Sequence, residues 1–304
     1  MTTVSQAIAS FLLACRADGL SPRTIESYQT RLLPLQRRHP DTPIADITTD
    51  NLRAIIADLY ADRSPHTVHG HIRALKRFFR WLAAEGIIQQ NPADRIRLPR
   101  LPQSPPKAIA DDDLRRLLHA AATSGTDWER RRNMALILFL ADTGCRLGGM
   151  LNLRVDDLDL DRRVARVREK GGQWRFVFLL PATARALADY LEARAAVAGE
   201  TDALWVAHNG HPLGRWGVRS ILRRLARRAG VRGPVGPHAF RHRFAIHYLL
   251  AGGDLASLAD LLGHRDVEVT RAYYARFALD DLQRKHDEFS PARGLTFTTS
   301  CDRI

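Results

Sequence analysis

Apolar side chains recur every three or four positions through the N-terminal part of the chain, and short polar breaks separate the runs. This period is typical of amphipathic helices that bury one face. It predicts four helices. The first runs over Val4–Ala17, the second starts at Ser21-Pro22, the third is capped at Thr48/Thr49 and runs through Leu59, and the fourth is opened by Ser64-Pro65 and runs over Thr67–Glu85. Pro34 should kink or shorten the second helix, because proline lacks an N–H and its ring clashes with the preceding turn. The region therefore predicts an all-α bundle.

A proline-rich, basic segment follows this bundle. Prolines recur along it at positions 92, 99, 102, 105 and 106. No helix tolerates that density of proline, so we expect an extended linker. The predicted organisation is a helical domain over 1–98, a linker over 99–107, a second domain over 108–289 and a flexible tail over 290–304.

The second domain changes its hydrophobic period. An apolar helix over Arg132–Asp142 ends at Thr143-Gly144. Apolar and polar residues then alternate around Val164 and Phe176, which predicts two strands joined by a turn that carries Lys170. After the second strand the helical period returns. We therefore predict a mainly α protein, with an N-terminal helical bundle and a mostly α C-terminal domain that holds a small antiparallel β-sheet.

The chain is strongly basic. Its net charge is +13 at pH 7, its isoelectric point is about 10.5, and arginine outnumbers lysine. This balance favours nucleic-acid binding, because arginine meets phosphate through two parallel hydrogen bonds. An arginine-rich proteome is the alternative explanation. On the fourth predicted helix we expect phosphate contacts, rather than a merely solvated face, from His69, Arg73, Lys76, Arg77 and Arg80.

Export, membrane insertion and disulfide bonding are all disfavoured. No apolar run approaches the roughly 20 residues of a membrane span. The first residues lack the basic stretch and cleavage motif of a signal peptide. The three cysteines, Cys15, Cys145 and Cys301, are odd in number and scattered, which excludes a disulfide framework or a cysteine zinc site. We expect a cytoplasmic protein with no membrane partner.

A set of arginine, histidine and tyrosine side chains lies in the C-terminal half. Arg146 directly follows the Thr143-Gly144 helix break, and Arg241 lies in an apolar helical stretch, where a buried charge needs an anionic partner. The two arginines together could clamp a phosphodiester and stabilise a pentavalent transition state. His238 lies one helical turn before Arg241, and Tyr273 is a candidate nucleophile. The set points to chemistry on a DNA backbone.

The motifs that hold these residues resemble the tyrosine recombinase (phage integrase-like) family over nearly the whole chain. They are Thr-Gly-Cys-Arg146, Lys170-Gly-Gly, His238-Ala-Phe-Arg241-His-Arg-Phe, and Leu-Gly-His264 with Tyr273 beyond it. In the N-terminal region, Ser21-Pro22-Arg23-Thr24 and Asn91-Pro92 are similar to the family's core DNA-binding domain. The resemblance implies two domains that clamp double-stranded DNA, with the basic linker between them.

The resemblance also implies a role for each residue. Tyr273 attacks the scissile phosphate and leaves a 3′-phosphotyrosyl link and a free 5′-hydroxyl, while the two arginines hold the phosphate. Lys170 protonates the leaving 5′-oxygen, His238 is the acid–base partner, and His264 donates a hydrogen bond to the phosphate. No ATP is expected, because the link conserves bond energy, and no metal or other cofactor is expected, because the cluster of cationic side chains supplies the positive charge. The implied catalytic set is Arg146, Lys170, His238, Arg241, His264 and Tyr273.

Tyr274 is a rival for the nucleophile role, because it directly follows Tyr273. Neighbours on a helix point about 100° apart, so only one of the two faces the arginines. The spacing from Leu-Gly-His264 favours Tyr273. Packing or a backbone contact is then the expected role of Tyr274.

One position departs from the family pattern. The first arginine is usually followed by a small residue and then an acidic one, whereas here Gly148-Gly149 follows Leu147. An acidic side chain would orient a neighbouring basic group, so Gly149 removes that support. Paired glycines also loosen the helix start, by up to about 1 kcal/mol each relative to alanine. We expect slower or less rigid catalysis rather than none.

The family resemblance implies a homotetramer on two DNA sites that exchanges strands pairwise, with a possible accessory factor or partner recombinase. Because the sequence starts at the core-binding helices, we expect a simple two-domain, Xer-like recombinase for integration, excision or dimer resolution. Two alternatives stay open. One is a DNA-relaxing enzyme that resembles type IB topoisomerases. The other is a DNA-binding regulator that has kept the fold and lost turnover, which Gly149 favours.

Overall fold

The structure is a computed structural model that describes residues 1–101, 106–168, 172–263, 274 and 286. It divides into two compact units, Met1–Ser104 and Pro105–Ile304. Lys170, His264 and Tyr273, the centre of the expected linker and the expected tail lie outside the described residues.

The first unit is a bundle of helices. They are α1 (Val4–Ala17), α2 (Pro22–Arg38), α3 (Thr49–Asp62) and α4 (Pro65–Ala84). Each begins after a serine or threonine whose hydroxyl accepts an N–H from the first turn, which stabilises a helix start by about 1 kcal/mol. These cap residues are Thr3, Ser21, Thr48 and Ser64. The fourth helix opens at Ser64-Pro65 as predicted, with Pro65 at its first helical position.

The expected effect of Pro34 on helix length is wrong. The helix α2 continues through Pro34 to Arg38. Leu32 and Leu35, on either side of the proline, are 0% and 1% exposed. Burial of such side chains contributes about 1.5–3 kcal/mol each, enough to offset the roughly 3 kcal/mol that an internal proline costs. Tertiary packing therefore outweighs the local preference.

The second unit is mostly helical with one small sheet. Its elements are α5 (Asp111–Thr123), α6 (Asp127–Thr143), α7 (Leu147–Leu151), β1 (Leu158–Asp159), β2 (Val164–Arg168), β3 (Trp174–Phe178), α8 (Pro181–Ala195), α9 (Arg215–Arg228), α10 (Pro237–Leu250) and α11 (Leu255–Leu262). The mainly α prediction with a small antiparallel sheet is confirmed. Among the described helices, none is both long and apolar enough to cross a membrane.

The helix α6 is the centre of the second unit and packs against α5, α8 and α10. Leu136, Phe139 and Leu140 are fully buried in it. It begins at Asp127, earlier than the predicted Arg132, because Thr126 and Glu129 form a capping box before the apolar run. The sequence carried that signal, although the polar first turn does not show in the hydrophobic period.

The sheet is antiparallel in the order β1-β2-β3. In its register Val167 pairs with Arg175, and Ala165 pairs with Val177. Ala165, Val167 and Val177 are buried on the core-facing side of the sheet. Trp174 and Phe176 on the other face are 51% and 59% exposed. Lys170 falls in the segment between β2 and β3.

Candidate active site

The turn between α6 and α7 presents Arg146. Gly144 there takes the left-handed backbone conformation, with φ of 55°, and a Cβ on it would lie 2.8 Å from the ring of Phe244. Only glycine fits this turn without strain. Arg146 then precedes α7 in an extended conformation. Its Nη1 donates to the carbonyl oxygen of Gly263 at 3.0 Å and to that of Leu262 at 3.4 Å.

Arg241 reaches the same point from α10. The residue is only 5% exposed. Its Nη2 donates to the carbonyl oxygen of Leu262 at 2.7 Å, and its Nη1 donates to that of Gly144 at 2.8 Å. The structure thus brings Arg146 and Arg241 together, because both guanidinium groups bind the carbonyl of Leu262.

These contacts fall at the C-terminal end of α11. The last carbonyl groups of a helix lack partners within it and carry the negative end of the helix dipole. They orient both guanidinium groups, so two positively charged side chains meet at this helix end. The site therefore brings two guanidinium groups to one point. It suits a phosphodiester, whose two non-bridging oxygens match the N–H forks of arginine.

A third arginine, which the sequence interpretation did not assign, reaches the same helix end from β3. Arg175 Nη1 donates to the carbonyl oxygen of Leu261 at 2.8 Å. A Cβ on Gly263 would lie 2.7 Å from Arg175 Nε, so the arginine crosses directly over this glycine. A signal was present in the sequence. The strand alternation places Arg175 on the core-facing side, between outward-facing Trp174 and Phe176.

His238 lies one helical turn before Arg241 in α10. Its pKa is lowered by partial burial and then by nearby positive charges, which belong to Arg241, Arg219, Arg146 and Arg215. Because the residue as a whole is exposed, it keeps much of its hydration, and the arginine charges are the stronger cause of the lowered pKa. A lowered pKa keeps this imidazole neutral, and able to accept a proton, at neutral pH.

Two of those charges come from α9, which the sequence interpretation also left unassigned. Arg215 and Arg219 are exposed at its start. Arg215 Nη2 would lie 2.8 Å from a Cβ on Gly148, so this side chain covers the first residues of α7. The guanidinium of Arg219 lies 5.8 Å from the ring centre of Trp216, which is 76% exposed. The start of α9 therefore extends the cationic surface around His238.

Tyr274 has a structural role. It is 3% exposed and packs in an apolar cluster with Leu249 and Leu258. Its hydroxyl group hydrogen-bonds to Nδ1 of His242. Burial lowers the pKa of His242, and the charges of neighbouring His238 and Arg241 lower it further. A phenol held in a core in this way is poorly placed to attack a phosphate, which leaves Tyr273 as the stronger candidate.

Matches to protein-family models cover both units. The model described as the phage integrase family matches residues 107–279. The model described as the phage integrase N-terminal SAM-like domain matches residues 8–86. The chain belongs to the phage integrase family.

Individual members show the same extent of similarity. The chain is 32% identical to tyrosine recombinase XerC of Alcanivorax borkumensis, over 88% of this chain and 88% of that protein. It is 34% identical to tyrosine recombinase XerD of Listeria innocua, over 84% of this chain and 88% of that protein. Its fold is similar to that of the Tn1549 transposon integrase in complex with a circular intermediate DNA, with a TM-score of 0.75 and 20% identity over 93% and 99% of the two chains.

The departure from the family pattern at Gly149 has a packing reason. A Cβ on Gly149 would lie 2.5 Å from Cγ1 of buried Val167 and 3.3 Å from Sγ of Cys145. No larger side chain fits there unless β2 shifts. The neighbouring Gly148 differs, because its Cβ would meet only the mobile end of Arg215. The helix α7 therefore packs closely against β2 at Gly149, and slower catalysis stays a prediction.

The basic face of α4 needs one correction. Lys76 Nζ donates to the carbonyl oxygens of Ala93 and Ile96, both at 2.8 Å. Lys76 therefore holds the segment that leaves the helical bundle, and these carbonyl contacts count against the predicted phosphate contact of this side chain. The other members of the predicted face are exposed or half-exposed: His69, Arg73, Arg77 and Arg80.

Proposed function

We propose that this protein is a site-specific DNA recombinase that cuts and rejoins DNA strands through a 3′-phosphotyrosyl intermediate on Tyr273. The observation that carries the proposal is the pair of guanidinium groups, from Arg146 and Arg241, on the Leu262 carbonyl. The next position but one is His264, the expected third phosphate ligand. The tyrosine recombinase names of the relatives support the same activity.

In the proposed reaction the Tyr273 oxygen attacks the scissile phosphorus while the P–O5′ bond breaks. His238, which is neutral because its pKa is lowered, accepts the phenol proton, and Lys170 gives a proton to the leaving 5′-oxygen. Arg146 and Arg241 stabilise the additional negative charge on the non-bridging oxygens. Attack by the 5′-hydroxyl of another strand reverses these steps and completes the exchange. The bond energy is conserved at each step.

We further propose that double-stranded DNA is bound by both units. The net charge of +13 supports this proposal. So does the exposed basic face of α4, made up of His69, Arg73, Arg77 and Arg80. The integrase of similar fold, whose structure is that of a complex with DNA, supports it as well. The active species would be a homotetramer that joins two sites in the cytoplasm, with or without a partner recombinase.

The test uses a supercoiled plasmid that carries two copies of the bound sequence. That sequence is obtained by selecting fragments of the source genome on the immobilised full-length protein. Recombination predicts two product circles or an inverted segment, according to the orientation of the sites. Relaxation of the plasmid without these products would support the topoisomerase-like alternative. Tight binding with neither outcome would support the inactive regulator.

A further inference from the structure

Arg175 connects the sheet to the end of α11. It lies on the core-facing side of β3, opposite Val167 of β2. Its Nη1 donates to the carbonyl oxygen of Leu261 at 2.8 Å, and its Nη2 is buried from solvent. Part of the head group is therefore turned toward the end of α11, although the residue as a whole is half-exposed.

The end of α11 is shaped to let this side chain pass. Gly263 takes the left-handed conformation, with φ of 65°. A Cβ there would lie 2.7 Å from Arg175 Nε and 2.9 Å from its Cδ. Any larger residue at this position would displace the arginine as well as strain the backbone. Two independent features, the conformation and the close approach, thus require the same glycine.

The connection joins two segments that carry proposed catalytic residues. β3 follows the segment that contains Lys170, and Gly263 directly precedes His264. The carbonyl that Arg175 binds is next to that of Leu262, where Arg146 and Arg241 meet. A shift of β3 relative to α11 would therefore change the distance between the Lys170 segment and the phosphate clamp.

We propose that Arg175 is a positioning residue that holds the Lys170 segment in register with the two phosphate-binding arginines. This inference rests on the proposed function, in which Lys170 protonates the leaving 5′-oxygen. Loss of Arg175 then impairs protonation of the leaving group more than phosphate binding. A direct phosphate ligand would have the opposite profile.

The test compares two DNA substrates in single-turnover cleavage by the full chain. One has the ordinary oxygen at the scissile 5′ position, and the other has a bridging sulfur there. A thiolate leaves without a proton, because thiols ionise near pKa 8.5 whereas water ionises near 15.7. On the oxygen substrate we expect Arg175→Ala to slow cleavage by about 10-fold to 100-fold, which is part of the roughly 100-fold to 10,000-fold that a general acid contributes, because Lys170 itself is still present. On the sulfur substrate we expect a rate close to that of the wild-type protein.

Three further variants fix the interpretation. Lys170→Ala should be rescued by sulfur in the same way as Arg175→Ala, and Arg241→Ala should not be rescued. Arg175→Lys keeps a donor within reach of the Leu261 carbonyl and should lose less activity on the oxygen substrate than Arg175→Ala. A partly unfolded variant lowers the amount of adduct on both substrates equally, whereas mispositioning lowers the rate on the oxygen substrate alone.

The proposal is overturned if Arg175→Ala slows both substrates equally, or slows neither. It is also overturned if sulfur fails to rescue Lys170→Ala, because Lys170 would then not be the acid that Arg175 positions. Absence of any covalent adduct with the wild-type protein on either substrate would instead contradict the proposed function itself.

Discussion

Two pairs of arginines in the second unit, Arg132 with Arg194 and Arg146 with Arg241, differ in their surroundings. Arg132 and Arg194 are 3% and 9% exposed, and each lies in a helix. Arg132 binds Asn133 Oδ1 through Nε and Nη2, at 3.1 and 2.9 Å, and lies 4.5 Å from the ring centre of Trp128. Arg194 donates to three different backbone carbonyls, those of Thr201, Ala203 and Leu204.

Arg146 and Arg241 share an acceptor, although each also donates to a carbonyl of its own. Both donate to the carbonyl of Leu262, at 3.4 and 2.7 Å. Two like charges at one helix end repel each other, and their neighbours on α9 add to the positive potential around His238. The comparison teaches that burial of an arginine in an apolar helix does not by itself indicate a binding site. Convergence of several cations on the same few acceptors does.

The comparison predicts its largest effect for Arg241→Ala. Loss of this guanidinium should slow formation of the covalent adduct by about 100-fold to 1,000-fold, as for removal of one donor to a transition-state oxyanion. Stability should change less than in the matched variant Arg194→Ala, because repulsion with Arg146 is relieved. Single-turnover cleavage and urea unfolding measure the two quantities. If Arg241→Ala keeps its cleavage rate but unfolds easily, Arg241 stabilises the fold and does not bind the phosphate.

Arg194→Ala should have the opposite profile. It removes donors from the buried carbonyl group of Leu204 and from the half-buried ones of Ala203 and Thr201, so the free energy of unfolding should fall by about 2–4 kcal/mol. The folded fraction is measured by titration with nicked DNA that traps the covalent adduct. This fraction should cleave within about twofold of the wild-type rate, because the hydrogen bonds of Arg194 are separate from those of Arg146 and Arg241. A selective loss of cleavage with unchanged stability would contradict the claim that Arg194 stabilises the fold and has no part in cleavage.

The two glycines after Arg146 extend the comparison to the turn that presents it. Gly149→Ala should destabilise the protein by about 1–3 kcal/mol, because the new methyl group meets buried Val167. Gly148→Ala should be neutral or stabilise by up to about 1 kcal/mol. Thermal unfolding of both variants tests this difference. Combining Gly149→Ala with Val167→Ala should recover part of the loss, and equal effects at both glycines would show that α7 does not pack closely on β2.

The smallest expected effect concerns pH. Because neighbouring arginines lower the pKa of His238, its neutral form persists below the ordinary value of about 6.5. Cleavage should therefore fall, as pH decreases, with a midpoint below that value. Arg219→Gln removes one of these charges and should move the midpoint upward by a few tenths of a unit, because the side chain is exposed and screened. Arg223→Gln, one turn further along α9, should leave the midpoint unchanged, and an equal shift would argue against a local effect.

Much of the fold was predictable because the period of apolar residues and the helix caps are local properties. The strands on either side of Lys170 follow from alternation, and the position of Arg146 follows from the break at Gly144. The length of α2 was not predictable in this way, because burial around Pro34 decides it.

Side-chain partners were harder to predict than elements. Lys76 looked like part of a DNA-binding face until its carbonyl partners were known. Arg132 looked like any other arginine of a polar first turn, although it is buried. Arg175 was overlooked because its partner, the end of α11, is distant in sequence. In each case the missing information was the location of the acceptors.

The most direct test of the central claim is the formation of an SDS-resistant, protease-sensitive adduct on nicked suicide DNA, compared among wild type, Tyr273→Phe and Tyr274→Phe. We predict that only Tyr273→Phe loses the adduct, and that Tyr274→Phe keeps it while losing some stability with its hydrogen bond to His242. An adduct that persists in Tyr273→Phe, or that disappears only in Tyr274→Phe, would contradict the assignment of Tyr273 as the nucleophile.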